Sequence, residues 1–260
     1  MALPGRGVRA LPVVLAAATV CSQIVYPLVQ GSARDTVTVV SVVLFFAASI
    51  SHAAVWRGWR FAAALVAVTA GGGLLVEAAG VATGVPFGAY AYSDSLGAKV
   101  LGVPVVIPLA WTMMGYPALL VGARIGQGRQ WTPLTAGAAL ASWDLFLDPQ
   151  MVDAGHWAWR GGSGPELLGI PASNFISWFV IATAMMAVLV HVPAGAYWVV
   201  DDDQLAAVRV ADRVPFALYL WTYASSVLAH AAFFGLPGSA VVGGVGMGIV
   251  VALFLRASRR

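Results

Sequence analysis

Eight apolar runs of about 20 residues follow one another along this 260-residue chain, and they decide what it can fold into. A helix of that length rises about 30 Å, the thickness of the hydrocarbon core of a bilayer. The runs fall near residues 11–30, 36–56, 60–82, 104–124, 131–150, 172–199, 214–234 and 237–256. Hydrophobic residues make up 60% of the chain and charged residues 10%, against roughly 25% charged in a soluble domain. Soluble packing cannot hide so much apolar surface, so lipid must be the solvent. In lipid a segment has to satisfy its own backbone polar groups. The expected fold is therefore all-α, a polytopic membrane bundle of about eight transmembrane helices. No repeat divides it, so residues 1–260 read as a single transmembrane domain.

Basic residues set the direction of the crossings. Arg6, Arg9, Arg57, Arg60, Arg124, Arg129, Arg209, Arg213, Arg256, Arg259 and Arg260 flank the runs on the N-terminal side, against Arg34, Lys99 and Arg160 on the other. Both termini are thus expected in the cytoplasm, for a multi-pass protein of the cell membrane. The first run is too long for a signal-peptide core and has no clear cleavage site, so a retained helix is expected. The net charge is +3, but dispersed arginines do not make a phosphate-binding stripe, which argues against a nucleic-acid partner. The single cysteine, Cys21, excludes an intrachain disulfide. The acidic run Asp201–Gln204 falls in an inner loop and reads as a solvated segment.

Against this apolar background the stretch "SWDLFLDPQM" stands out, with Asp144 and Asp148 four residues apart on one helix face. A carboxylate within the bilayer costs several kcal/mol, about 3 on insertion scales, and marks a functional site. Counting about 1.5 Å per residue from the inner edge puts Asp144 about 20 Å across and Asp148 about 26 Å. Glu77, Asn174, His230, Trp111 and Trp178 reach the same outer level, while the inner half reads as almost purely apolar. Asp144 is the deeper candidate acid. Pro149 directly after Asp148 suggests that the helix ends there and that Asp148 is partly wet. Among the histidines, His52 and His191 read as core or interface residues of the inner side, and His156 as a lid residue that could titrate.

Two long outer loops, 83–103 and 150–171, mix Gly, Pro, Trp and Tyr with few charges. Irregular backbone at membrane depth must be buried in protein or line a cavity, so both are expected to act as lids over the carboxylates. Tyr90, Tyr92, Trp157 and Trp159 lie in them, either as interfacial anchors or as pocket walls.

Several chemistries lack their residues. The only lysine, Lys99, is in an outer loop, which removes an intramembrane Schiff base, and no Cys/His cluster has zinc-ligand spacing. No glycine-rich loop has the strand–turn–helix context of a nucleotide site. Cofactor-free and metal-free acid catalysis on an alkene fits what remains, with a carboxylic acid giving the proton and tryptophan faces stabilising the cation.

The stretches "GVPFGAYAYSDSLG", "GVPVVIPLAW", "WDLFLDPQM", "GHWAW" and "LGIPASNFISW", with Glu77 upstream, resemble the carotenoid 1,2-hydratase family of the bisanhydrobacterioruberin hydratase type. They cover about 77–178. "GSGPELLGIP" departs from the family pattern by placing Pro165 and Glu166 where a glycine–aromatic pair is expected, which bears on substrate choice. The resemblance implies a hydro-lyase that adds water across the C1=C2 bond of an acyclic end group of lycopene, γ-carotene or a C50 polyene. Carried over by position, it implies Glu77, Asp144 and Asp148 as catalytic residues, with Asp144 or Glu77 as the acid and Asp148 and Asn174 positioning water. Asn174, Trp111, Trp178, Tyr90, Tyr92, Trp157 and Trp159 then bind substrate, with no cofactor. The implied partners are the long apolar polyene, the bilayer and other enzymes of the same pathway. The rival readings are a carotenoid cyclase, a prenyltransferase holding Mg²⁺ on D-x-x-x-D, and a non-catalytic carotenoid-binding or transport protein.

Overall fold

A computed structural model describes residues 5–160, 164–192 and 202–259. The first two helices, α1 (Arg6–Val25) and α2 (Gly31–Arg57), are joined by a tight 3₁₀ turn at Tyr26–Leu28. Next come α3 (Trp59–Thr83), α4 (Val106–Gly126), α5 (Thr132–Asp153) and α6 (Ala172–Leu189). A short α7 (Asp202–Ala211) leads into α8 (Arg213–Ala232) and α9 (Pro237–Ser258). The chain is an all-α polytopic membrane protein. Among the described residues, α1, α2, α3, α4, α6 and α9 are long and apolar enough to cross a membrane. The other two long helices, α5 with 22 residues and α8 with 20, match them in length but carry more polar side chains.

Helix α4 is the centre of the bundle, with Trp111, Met114 and Tyr116 fully buried. It packs against α2, α3, α5, α8 and α9, and α5 in turn packs against α6 and α9. Ser49 of α2 donates to the Met113 carbonyl at 2.8 Å, tying those two helices together. Midway along α3 the residues Ala67–Gly71 form a wider π turn, which resets the phase of the helix before Glu77. Such turns recur at functional sites.

Pro149 does not end α5, which runs on to Asp153. The lost N–H weakens one turn, but the turns on either side bury Phe146 and Met151. Asp148 is therefore buried rather than partly wet. The outer loops also differ from expectation, because both contain short strands. Residues 84–105 carry β1 (Tyr90–Tyr92), β2 (Lys99–Val100) and β3 (Val103–Pro104), and residues 154–171 carry β4 (Trp157–Trp159), β5 (Glu166–Leu167) and β6 (Ile170–Pro171). β1 pairs antiparallel with β4, so that Tyr90 faces Trp159 and Tyr92 faces Trp157. The two loops thus form one joined lid.

The inner half is not purely apolar. Arg57, at the end of α2, is buried and donates to Asp212 at 2.5 Å. Nearby, His52 is buried, with Nδ1 2.8 Å from the Tyr116 hydroxyl and Nε2 2.9 Å from the Ala211 carbonyl. His191 is exposed rather than packed in the core. In the acidic run, Asp202 and Asp203 begin α7, while Asp201 lies outside the described residues, as do residues 193–199 of the sixth expected span.

Candidate active site

Glu77 lies on α3 between Gly73 and Gly80, which share its face at spacings of four and three. Neither glycine has room for a methyl group. A Cβ at Gly73 would meet the Trp111 indole at 2.7 Å, and one at Gly80 would meet Phe87 and the Tyr90 hydroxyl at 2.9 Å. Aromatic rings can therefore close on the carboxylate from both sides. Tyr90 donates to Glu77 Oε2 at 2.5 Å and Tyr92 to the same oxygen at 2.8 Å. Trp111 Nε1–H donates to Oε1 at 3.1 Å. All three donors are neutral.

Opposite, α5 carries Asp144 and Asp148, and the first turn of α6 brings Asn174 to both. The Asn174 amide donates to Asp144 Oδ2 at 2.9 Å and also to Asp148 Oδ2. Trp157 of the lid donates to Asp148 Oδ1 at 3.1 Å. Asp144 Oδ1 is buried and meets no donor. The Asp148 carboxyl, one turn further along the same helix and bound to the same Asn174 amide, is its electrostatic neighbour. Arg160 joins the lid by donating its backbone N–H to the Ala89 carbonyl at 2.7 Å.

Glu77, Asp148 and Asn174 line one cavity of about 460 Å³. Asp144 does not line it and stands behind Asp148, so the deeper aspartate of the sequence reading lacks direct access to a ligand. Trp111 and Trp178 stack face to face on the wall, with centroids 3.9 Å apart and planes 6° from parallel, and Trp143 meets Trp178 edge-on at 6.4 Å. Tyr90, Tyr92, Trp157 and Trp159 also line the cavity, as pocket walls rather than free anchors. The sequence reading missed Trp143 and Phe87 as wall residues. For Trp143 a signal was present, since Trp143, Leu147, Gln150 and Met151 follow helical spacing and all face the cavity.

His230 does not join the carboxylates. It is buried, 2.5 Å from Ser239 and 3.2 Å from Gln150, whose side chain separates it from the cavity it does not itself line. In the lid, His156 is buried and its Nδ1 lies 2.7 Å from the Ser95 hydroxyl. Burial holds this imidazole below its ordinary range, and Asp35 at 3.9 Å pulls the other way.

Away from the carboxylates the cavity continues between the end of α1, α2 and α8. Its lining there includes Leu28 and Leu228, which are 68% and 59% exposed. Exposed apolar side chains thus border the cavity at this end of α1 and α8.

A family model described as "Carotenoid biosynthesis protein" matches residues 37–254. Bisanhydrobacterioruberin hydratase of Haloarcula japonica is 33% identical over 110 residues, which is 40% of this chain and 36% of that protein. The matched stretch is therefore well under half of either molecule. No solved structure matches the chain.

Proposed function

The chain belongs to the carotenoid biosynthesis protein family, and within it we propose a cofactor-independent hydro-lyase that hydrates the terminal C1=C2 bond of an acyclic carotenoid end group. One observation carries the reading. Two separate carboxyl centres, Glu77 and Asp148, share the wall of an aromatic cavity whose far end is bordered by exposed leucines, and each is bonded by neutral donors alone. The name of the Haloarcula japonica relative agrees in reaction type.

The roles follow from access. Two bare carboxylates side by side in an apolar site repel each other, so Asp144 and Asp148 hold one proton between them. Asp148 faces the cavity and gives that proton to C2 of the alkene. The π electrons form the new C–H bond and leave a tertiary cation at C1. The faces of Trp111 and Trp178, with the edge of Trp143, stabilise this cation without capturing it. A carboxylate has about four acceptor sites. The three bonds from Tyr90, Tyr92 and Trp111 leave Glu77 one for a water molecule. That water adds to C1, its surplus proton goes to Glu77, and proton return to the aspartate pair completes a net addition of one H₂O. This division moves the acid from Asp144 or Glu77 to Asp148. The prenyltransferase alternative is disfavoured because the Asn174 N–H₂, a donor, stands between the aspartates where a divalent cation would need acceptors. We further propose a cell-membrane protein with both termini in the cytoplasm.

Amide variants test the chemistry. General acid–base catalysis contributes about 10²–10⁴-fold, so Asp148→Asn and Glu77→Gln should each cut hydroxylated product by that order in a host that makes acyclic carotenoids. Membrane levels of the protein should stay unchanged. Wild-type turnover by both variants would overturn the assignment, and pigment bound by wild type without any product would make the protein a carrier.

A further inference from the structure

Three arginines from three helices converge at the end of the bundle opposite the carboxylates. Arg124 lies in the last turn of α4, Arg209 in the last turn of α7, and Arg213 begins α8. They border a second cavity of about 440 Å³, whose other walls include Phe216, Leu220 and Phe254. The two phenylalanine rings pack together with centroids 4.8 Å apart. Three like charges around one concavity favour an anion among them, although Arg209 and Arg213 are exposed and solvent screens part of their repulsion. The acidic neighbour of Arg124 is Asp212, which is already engaged by Arg57 at 2.5 Å. A positive-inside bias explains arginines at this level, but it does not require them to surround a space walled by aromatic rings.

We propose that this cavity is a binding site for the phosphate headgroup of an anionic glycerophospholipid. The guanidinium groups take the phosphate oxygens, for which their planar forks are suited. The start of an acyl chain lies along Phe216, Leu220 and Phe254. A free phosphate or diphosphate would satisfy the charge but leave the phenylalanine wall bare, so the lipid is the occupant. The assignment is independent of the chemistry proposed for the carboxylate cavity.

Native mass spectrometry of the delipidated full-length protein tests it, with phosphatidylglycerol, phosphatidylcholine and inorganic diphosphate as separate probes. Arginines near a membrane surface favour anionic lipids, so three should favour phosphatidylglycerol over phosphatidylcholine by at least about tenfold. The triple variant Arg124→Gln, Arg209→Gln, Arg213→Gln should lose that preference, while Arg160→Gln at the other end of the bundle should keep it. Equal retention of the two lipids by wild type would overturn the site, and this arm does not depend on whether the triple variant folds. An undiminished preference in a folded triple variant would overturn it too. Displacement of phosphatidylglycerol by micromolar diphosphate would reassign the site to a soluble anion and end the lipid proposal.

Discussion

A hydrogen atom in place of a methyl group at position 73 lets Trp111 lie against α3, donate to Glu77 and still stack on Trp178. Gly73→Ala would place a Cβ 2.7 Å from the indole, and relieving such overpacking costs about 1–3 kcal/mol. The variant should insert but show lower turnover and a lower unfolding midpoint in detergent. Unchanged turnover would mean that the Trp111 position is not needed. The sequence made Glu77, Asp144, Asp148 and Asn174 legible, because polar groups at membrane depth demand a reason. It ranked the aspartates by depth, with Asp144 first, and carried no measure of direction. Residues four apart on a helix differ by only about 40° in direction, and that small angle separates cavity wall from hidden partner. Arg57 and Asp212 were illegible for another reason: they are 155 residues apart, and each reads alone as a solvated loop position.

At the scale of elements, the spans were legible from hydropathy because lipid enforces helix over whole runs. The predicted spans 60–82, 104–124 and 214–234 each end within about two residues of a helix seen in the fold, and 36–56 falls inside α2, which starts earlier, at Gly31. The lid strands were not legible. Strands of two or three residues are too short to establish an alternating pattern. The β1–β4 pairing nevertheless makes a sharp prediction. Ala91 and Ala158 are directly opposed, and opposed antiparallel residues lie about 4.5–5.5 Å apart, within disulfide range. In a Cys21→Ser background, Ala91→Cys with Ala158→Cys should oxidise to an intramolecular disulfide, seen as a loss of two hydrogens in the intact mass. The proposed substrate route passes Leu28 and Leu228 rather than these strands, so turnover should persist in the oxidised form. Loss of turnover on oxidation that reverses on reduction would mean entry through the lid.

For the whole molecule, the proposed orientation puts the lid and carboxylates toward the outer leaflet and the arginine cavity toward the cytoplasm. Substituted-cysteine labelling of intact cells, again without Cys21, should mark Glu166→Cys and leave Ser258→Cys unlabelled. The reverse pattern would invert the molecule in the membrane. The architecture explains why a long apolar substrate and a water-consuming step can share one protein. In the proposed reaction the aromatic walls receive the polyene and the tyrosine-bound carboxylate positions the water. The proposed reaction draws its oxygen from water and needs no reductant. Membranes containing the protein, incubated anaerobically with an acyclic carotenoid in ¹⁸O-labelled water, should yield a tertiary alcohol that carries the label and weighs one water more per modified end. An alcohol labelled only from ¹⁸O₂, or a product of unchanged mass with a new ring, would contradict hydration by these carboxylates.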